Sequence, residues 1–367
     1  MPVHRPVALL LVLLSVLPLV GSAQADSRDP VALAREGSAA LDARRFGDAL
    51  DSFTAAAALL PREASLYAGA GLAAFMLGRN EEAQTWFEQA LALNQRYRLA
   101  SEWLGELHHR AGRLKEAITI YEAALEQAPG AEEIEMRLAS WRKETELQDR
   151  FYKSRGAHFT VLFEGPADEA LARRTVDRLE AAYWRIGGAL TAYPPQAITV
   201  VLYTREQFRD ITRLPAWTAA AYDGRIHVPM RGALEQTEEL DRVLGHEVVH
   251  AIVAMLGGRN VPVWLNEGLA TVLEPGGAEE ARLVLAGAKA RPPLRDLHGS
   301  FIGLSADEAE LAYAVGTRAV RRMIELRGAA AVVALLRDLA QGASFAPSFH
   351  QRIAMRYDDF QAMIARE

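Results

Sequence analysis

Two histidines four residues apart, with a glutamate directly after the first, form the segment of this chain best able to do chemistry: His246-Glu247-Val248-Val249-His250. On a helix, residues at this spacing share a face, so both imidazoles can reach one ion at about 2.0–2.1 Å, the bond length of zinc. Glu247 falls beside the first histidine, placed to meet a water on the metal rather than the metal itself. A match of this form arises by chance in roughly 2 of 100 chains of this length, so the surroundings must decide. Val243, Leu244, Val248, Val249, Ala251 and Ile252 are all uncharged, as a helix crossing a protein interior requires. A catalytic zinc takes three protein ligands and keeps a fourth position open. Glu267 stands 17 positions after His250, beyond a loop containing Gly257, Gly258 and Pro262. A helix beginning near Glu267 would return antiparallel to the first and offer its carboxylate to the same ion. No third histidine follows at the tight spacing of a three-histidine site.

The pair of motifs, His-Glu-Val-Val-His followed by Trp264-Leu265-Asn266-Glu267-Gly268-Leu269-Ala270, resembles the gluzincin metallopeptidases, the group containing thermolysin and the neutral aminopeptidases. More narrowly it resembles the peptidase-MA-like domains often fused to tetratricopeptide repeats. The resemblance covers about residues 156–367 and implies an α+β zincin-like fold. It also implies one Zn2+ per chain on His246, His250 and Glu267, and peptide-bond hydrolysis with Glu247 as general base. Related domains carry a tyrosine on a later helix, aimed at the metal, which makes Tyr313 the candidate donor to an oxyanion. Two departures stand out. The gap between His250 and Glu267 is a little shorter than in the best-known members. The acid that orients a ligand histidine, four residues after the ligand glutamate, is replaced by Thr271. Another group must do that work, Asp241 or a carbonyl. The segment by which aminopeptidases grip a free amine is missing, which favours an endopeptidase.

The elements that must position these residues read as a small sheet followed by helices. His158–Phe163 and Ala197–Tyr203 are β-rich runs, separated by a helix over Asp168–Ile186 that Gly187-Gly188 ends. Arg205–Ile211 reads as a short helix. Ala220–Pro229 alternates and closes in proline, as an edge strand does. It precedes the metal helix and could bind substrate backbone by strand addition. His227 on it reads as structural. From Ala233 onward the pattern is helical.

The first half is different in kind. Gly37, Gly71 and Gly105 recur with a period of 34 residues, as do Ala49, Ala83 and Ala117, Phe53, Phe87 and Tyr121, and Ala56, Ala90 and Ala124. Gly78 and Gly112 mark the turn inside each unit, with Arg44 in the first copy. A helix pair of this kind cannot bury its apolar face alone, so the units must stack. The pattern resembles the tetratricopeptide repeat over residues 30–131, an α-solenoid with a groove for peptides or partner proteins. Residues 132–155 read as a capping helix and linker. His108 and His109 read as solvated or groove-lining.

Composition bounds the rest. The chain has 367 residues, half of them hydrophobic, a net charge of −6 and no cysteine. Disulfides, thiolate ligands and a cysteine nucleophile are excluded, and nothing suggests a nucleic-acid partner. His4 and Arg5, the apolar run Val7–Val20 and Ala23-Gln24-Ala25 have the three-part layout of a secretory signal peptide over residues 1–25. The expectation is an exported protein, periplasmic or secreted, with no integral membrane segment after cleavage. The competing reading is a non-enzymatic periplasmic adaptor or assembly protein on a metallopeptidase-like scaffold.

Overall fold

The computed structural model describes residues 29–127, 129–165, 168–212, 220–229 and 237–366. The leader read as a signal peptide lies outside them. No helix among the described residues is long and apolar enough to cross a membrane.

Helices α1 (Pro30–Asp42), α2 (Phe46–Leu59), α3 (Ala64–Met76), α4 (Asn80–Leu93), α5 (Arg98–Arg110) and α6 (Leu114–Gln127) form three antiparallel pairs. The repeated glycine lies on the first helix of each pair and the aromatic on the second. A methyl group at Gly37 would stand 2.9 Å from the Phe53 ring, and one at Gly71 would stand 2.6 Å from Phe87. The aromatic therefore seats on the glycine of its own pair, and Phe53 also covers Gly69 of the next. Helix α7 (Glu132–Gln148) caps the array, with Ile134, Leu138 and Trp141 closing over Ala117, Tyr121 and Ala124.

Strands β1 (Tyr152–Arg155), β2 (Phe159–Phe163), β3 (Ile198–Tyr203), β4 (Ala221–Tyr222) and β5 (Ile226–Pro229) form one sheet in the order β1-β2-β3-β5-β4. The three central strands are parallel and both edges antiparallel. Alternation of side chains divides the sheet between two cores. Phe159, Val161, Val200 and Leu202 face α8 (Glu169–Leu190) and the helices that follow. Leu162, Val201 and Tyr203 face α9 (Arg205–Thr212) and the end of α7. Helices α10 (Thr237–Gly257), α11 (Val263–Leu273), α12 (Gly277–Gly287), α13 (Ala306–Arg327), α14 (Ala329–Ala340), α15 (Phe345–Ile353) and α16 (Tyr357–Arg366) complete the C-terminal half.

Three local expectations are corrected. Helix α8 runs through Gly187-Gly188 and ends at Thr191, whose φ is 50°. The Tyr193 ring lies where a Gly187 side chain would go, so packing rather than termination explains that glycine. The Ala220–Pro229 segment is a hairpin, not one strand: β5 is interior and the two-residue β4 is the edge. Residues 152–155, read as linker, pair with β2 as an edge strand.

Repeats and C-terminal half meet along the turns inside the repeats. Asn260 donates to the Arg44 carbonyl at 3.2 Å, and the Arg259 amide donates to the Met76 carbonyl at 2.9 Å. Arg110 donates to the Asp223 carbonyl at 3.1 Å. Gly258, at φ 65°, lies against Leu77 and Gly78 at backbone distance, where no side chain fits. The loop joining α10 to α11 is thus held by the repeat array.

Candidate metal centre

Helix α10 buries Val243, Leu244, Val248, Val249, Ala251 and Ile252, which fixes the face that His246 and His250 present. Helix α11 begins four residues before Glu267 and delivers that carboxylate opposite them. Glu267 Oε2 lies 3.4 Å from His246 Nε2 and 3.4 Å from His250 Nε2. It has no hydrogen-bond partner, and neither has the buried Oε2 of Glu247. His246, Glu247 and His250 also each offer a ligand atom within 4.8 Å of the others. Of the two carboxylates, Glu267 stands equidistant from both imidazoles, while Glu247 is carried on the histidines' own helix.

The other ring nitrogens are occupied. His246 Nδ1 meets Glu274 Oε2 at 3.0 Å, and His250 Nδ1 meets Asn266 Oδ1 at 3.0 Å. With Nδ1 engaged in each ring, both Nε2 atoms face the centre, where a bound metal would displace any proton they carry. Asp241, considered for this role, instead pairs with Arg178. Glu274 is buried at the end of α11 and also faces Arg242 at 3.5 Å. It lies seven residues after Glu267, two helical turns on and so on the same face. Both orienting residues were missed from the sequence. The two-turn interval marked Glu274, and Asn266 sits inside the second motif.

Gly268 and Gly316 let α11 and α13 cross at backbone contact: a methyl on Gly268 would lie 2.5 Å from the Gly316 carbonyl. One turn before Gly316, Tyr313 reaches the site, its ring centroid 6.4 Å from that of His246. Phe301 packs edge-on against it at 5.6 Å.

Burial and crowded negative charge set the protonation of the site. Burial, aided by the Glu267 charge and opposed by both histidines, lifts the Glu247 carboxyl above its ordinary value. Burial alone would lower His246, but the facing Glu267 and Glu274 carboxylates raise it to about 10. Burial would raise Glu267, yet the two histidines hold it low. Burial, then Glu267, Glu247 and Glu274, push the Tyr313 hydroxyl well above its usual range, which keeps it a donor. The centre gathers more carboxylate than its imidazoles neutralise, and it opens into a cavity of about 650 Å³. The other end of that cavity is lined by Phe75, Met76 and Trp103 of the repeats.

Of the remaining candidates, His227 bonds Asp223 at 3.0 Å and stacks on Tyr203, so it stays structural. His109 is not a solvated groove residue. It stacks on Trp141 and bonds the buried Glu144 at 2.9 Å, which Arg225, in the turn leading into β5, also grips at 2.8 Å.

Residues 35–96 and 77–132 match the tetratricopeptide repeat family. Residues 35–132 are therefore a helical repeat array of the kind whose curved surface holds peptides or proteins. Two solved structures similar to it are both of RPAP3. One is the first repeat domain of Spaghetti (RPAP3) bound to the HSP90 peptide SRMEEVD. It is 25% identical, covering 33% of this chain and 98% of that one, with a TM-score of 0.31. The other is the NMR structure of the first repeat domain of human RPAP3, 24% identical, covering 32% and 92%, with a TM-score of 0.31. No curated protein matches the chain.

Proposed function

We propose that the C-terminal half is a zinc-dependent peptidase of gluzincin type, acting outside the cytoplasm on peptide or protein substrates that the repeats help to hold. The observation that carries this reading is the equidistance of the orphaned Glu267 Oε2 from two imidazole nitrogens, 3.4 Å from each. Ligands bound at about 2.0–2.1 Å around a tetrahedral ion stand about 3.3 Å apart. Direct hydrogen bonds would draw the atoms closer, to about 2.7–2.9 Å. The donor set, two neutral imidazoles and a carboxylate with an oriented outer shell, is that of a catalytic zinc.

His246, His250 and Glu267 would hold one Zn2+, which supplies a Lewis acid and brings a bound water to a pKa near 7. Glu247, raised by burial, takes the proton from the attacking water on its free Oε2 and passes it to the leaving amine. Tyr313 donates its hydroxyl hydrogen to the oxygen that becomes negative. Glu274 and Asn266 keep the imidazoles in the tautomer that points Nε2 inward.

The test is metal content and peptide cleavage of the purified chain beside Glu247→Gln and His246→Ala. One zinc per chain, chelator-sensitive cleavage, and a Glu247→Gln variant that keeps zinc but loses 10²–10⁴-fold in rate are expected. His246→Ala should lose the metal. Full activity in zinc-loaded Glu247→Gln would remove the mechanism, and a chain that binds no zinc would remove the whole reading.

A further inference from the structure

The end of the cavity away from the histidines holds an arginine that no carboxylate among the described residues pairs with. Arg259 lines the cavity from the loop between α10 and α11. Its Nη1 donates to the Phe75 carbonyl at 2.6 Å and to Asn80 Oδ1 at 3.0 Å, both neutral acceptors. Its guanidinium lies 3.9 Å over the Phe75 ring. No carboxylate lies within ion-pair distance of it among the described residues, and Nε and Nη2 have no hydrogen-bond partner there. Arg110 reaches the same ring from the repeats, at 5.9 Å, and lines the same cavity. Arg110 is itself engaged, by Glu106, which also serves Arg137, and by the charge of Asp223. Burial, followed by the charge of Arg110, lowers Arg259 to about 9, whereas the paired Arg225 is raised. A half-buried guanidinium with free donors and no anion among the described residues is placed to take an anionic ligand.

We propose that Arg259, with Arg110 beside it on the Phe75 face, is a carboxylate-binding subsite for the peptide whose scissile bond lies at His246, His250 and Glu267. The proposal rests on the peptidase reading and adds the substrate class. From His250 to Gly257 the helix rises about 10 Å, or roughly three residues of extended chain. The edge strand β4 lines the same cavity, and among the described residues its outer edge pairs with no other strand. An extended peptide can add to it there. The planar guanidinium suits a carboxylate bidentately, whether a C-terminal α-carboxylate or an acidic side chain. The subsite joins a repeat ring to a C-terminal-half arginine, so the array is a wall of the cleft and not only a tether.

The experiment measures retention of two random octapeptide libraries, one with free and one with amidated C-termini, on the zinc-loaded Glu247→Gln full chain, read by mass spectrometry. The expected result is at least tenfold enrichment of peptides bearing a carboxylate at one fixed position. Arg259→Gln should lose that enrichment and Arg259→Lys should recover part of it. Enrichment confined to the free-acid library identifies the α-carboxylate; enrichment of one internal acidic position in both libraries identifies a side chain. Asn80→Ala removes an acceptor of Arg259 but leaves the guanidinium, so it should keep the preference. Equal loss in Asn80→Ala and Arg259→Gln would show that Arg259 only docks the two halves and would overturn the subsite. So would equal retention of carboxylate and neutral peptides. Carboxylate-selective retention without cleavage by the wild-type chain would bring down the peptidase reading and leave the subsite standing; cleavage without selectivity would do the reverse.

Discussion

Two buried clusters in this molecule are built from histidine and glutamate, and they are wired oppositely. Around Glu144, where the capping helix meets the sheet, Oε1 is bonded by Arg225, Gln148 and Tyr203, and Oε2 meets His109. Around Glu267 the carboxylate turns Oε2 toward two imidazole nitrogens, 3.4 Å from each, and that oxygen has no hydrogen-bond partner. The first cluster satisfies its carboxylate and clasps the third repeat to β5. The second leaves its donors converging on a point with outer residues locking their direction. Buried charge satisfied by its neighbours is structure; a buried carboxylate oxygen left without a partner between two oriented imidazoles is what the proposed metal site requires.

Mutations should separate the clusters sharply. The largest effect on activity beyond Glu247 belongs to Tyr313. Tyr313→Phe should lower kcat by about 10²–10³-fold with KM little changed, and steady-state kinetics on a cleaved peptide checks it. A drop in KM-governed binding alone would recast Tyr313 as cleft wall. Glu144→Gln strips the partner from Arg225 and should cost about 3–5 kcal/mol of stability while zinc stoichiometry is kept. Denaturant unfolding beside metal analysis reads both. Glu267→Gln should do the opposite, losing zinc while the apoprotein's unfolding midpoint moves less than in Glu144→Gln. Equal destabilisation by the two would erase the contrast.

Acid should open the clasp. Burial would raise Glu144, but Arg225 and then His109 hold it at about 2, against an ordinary value of 4.5. A folded carboxyl below its unfolded value stabilises fully above pH 4.5 and loses that contribution as pH falls toward 2. The loss for this group is about 3 kcal/mol, and Glu106, also held at about 2, adds to it in the same window. The thermal unfolding midpoint should therefore fall steeply at the low end between pH 6 and pH 2, and Glu144→Gln should flatten that fall. The smallest expected effect is at Glu274. Glu274→Gln keeps an acceptor for His246 but removes its charge, and zinc affinity by competition with a chelator should weaken by about 10–100-fold.

Much of this was legible before any coordinates. The 34-residue period named the repeats, because each glycine has to admit one aromatic ring and the demand recurs with every unit. Helix geometry alone put His246 and His250 on one face, and the uncharged residues around them, Val243, Leu244, Val248, Val249, Ala251 and Ile252, pointed to the burial of α10. Local rules went wrong where a distant contact overrode them. Gly187-Gly188 reads as a stop, but Tyr193 folds back onto it and the helix continues. His109 reads as exposed until α7 and β5 close around it.

The sequence by itself determined the local chemistry: which residues can share a helix face, which pairs must stack, and which residues can ligate or move protons. Those are properties of near neighbours, where spacing is geometry. Only the tertiary structure decided the partners: Glu274 rather than Asp241 behind His246, Phe75 beneath Arg259, and the repeat turns against the loop that joins the two ligand helices. Such contacts join residues up to 216 positions apart. They depend on how whole elements dock, and no periodicity in the chain encodes that.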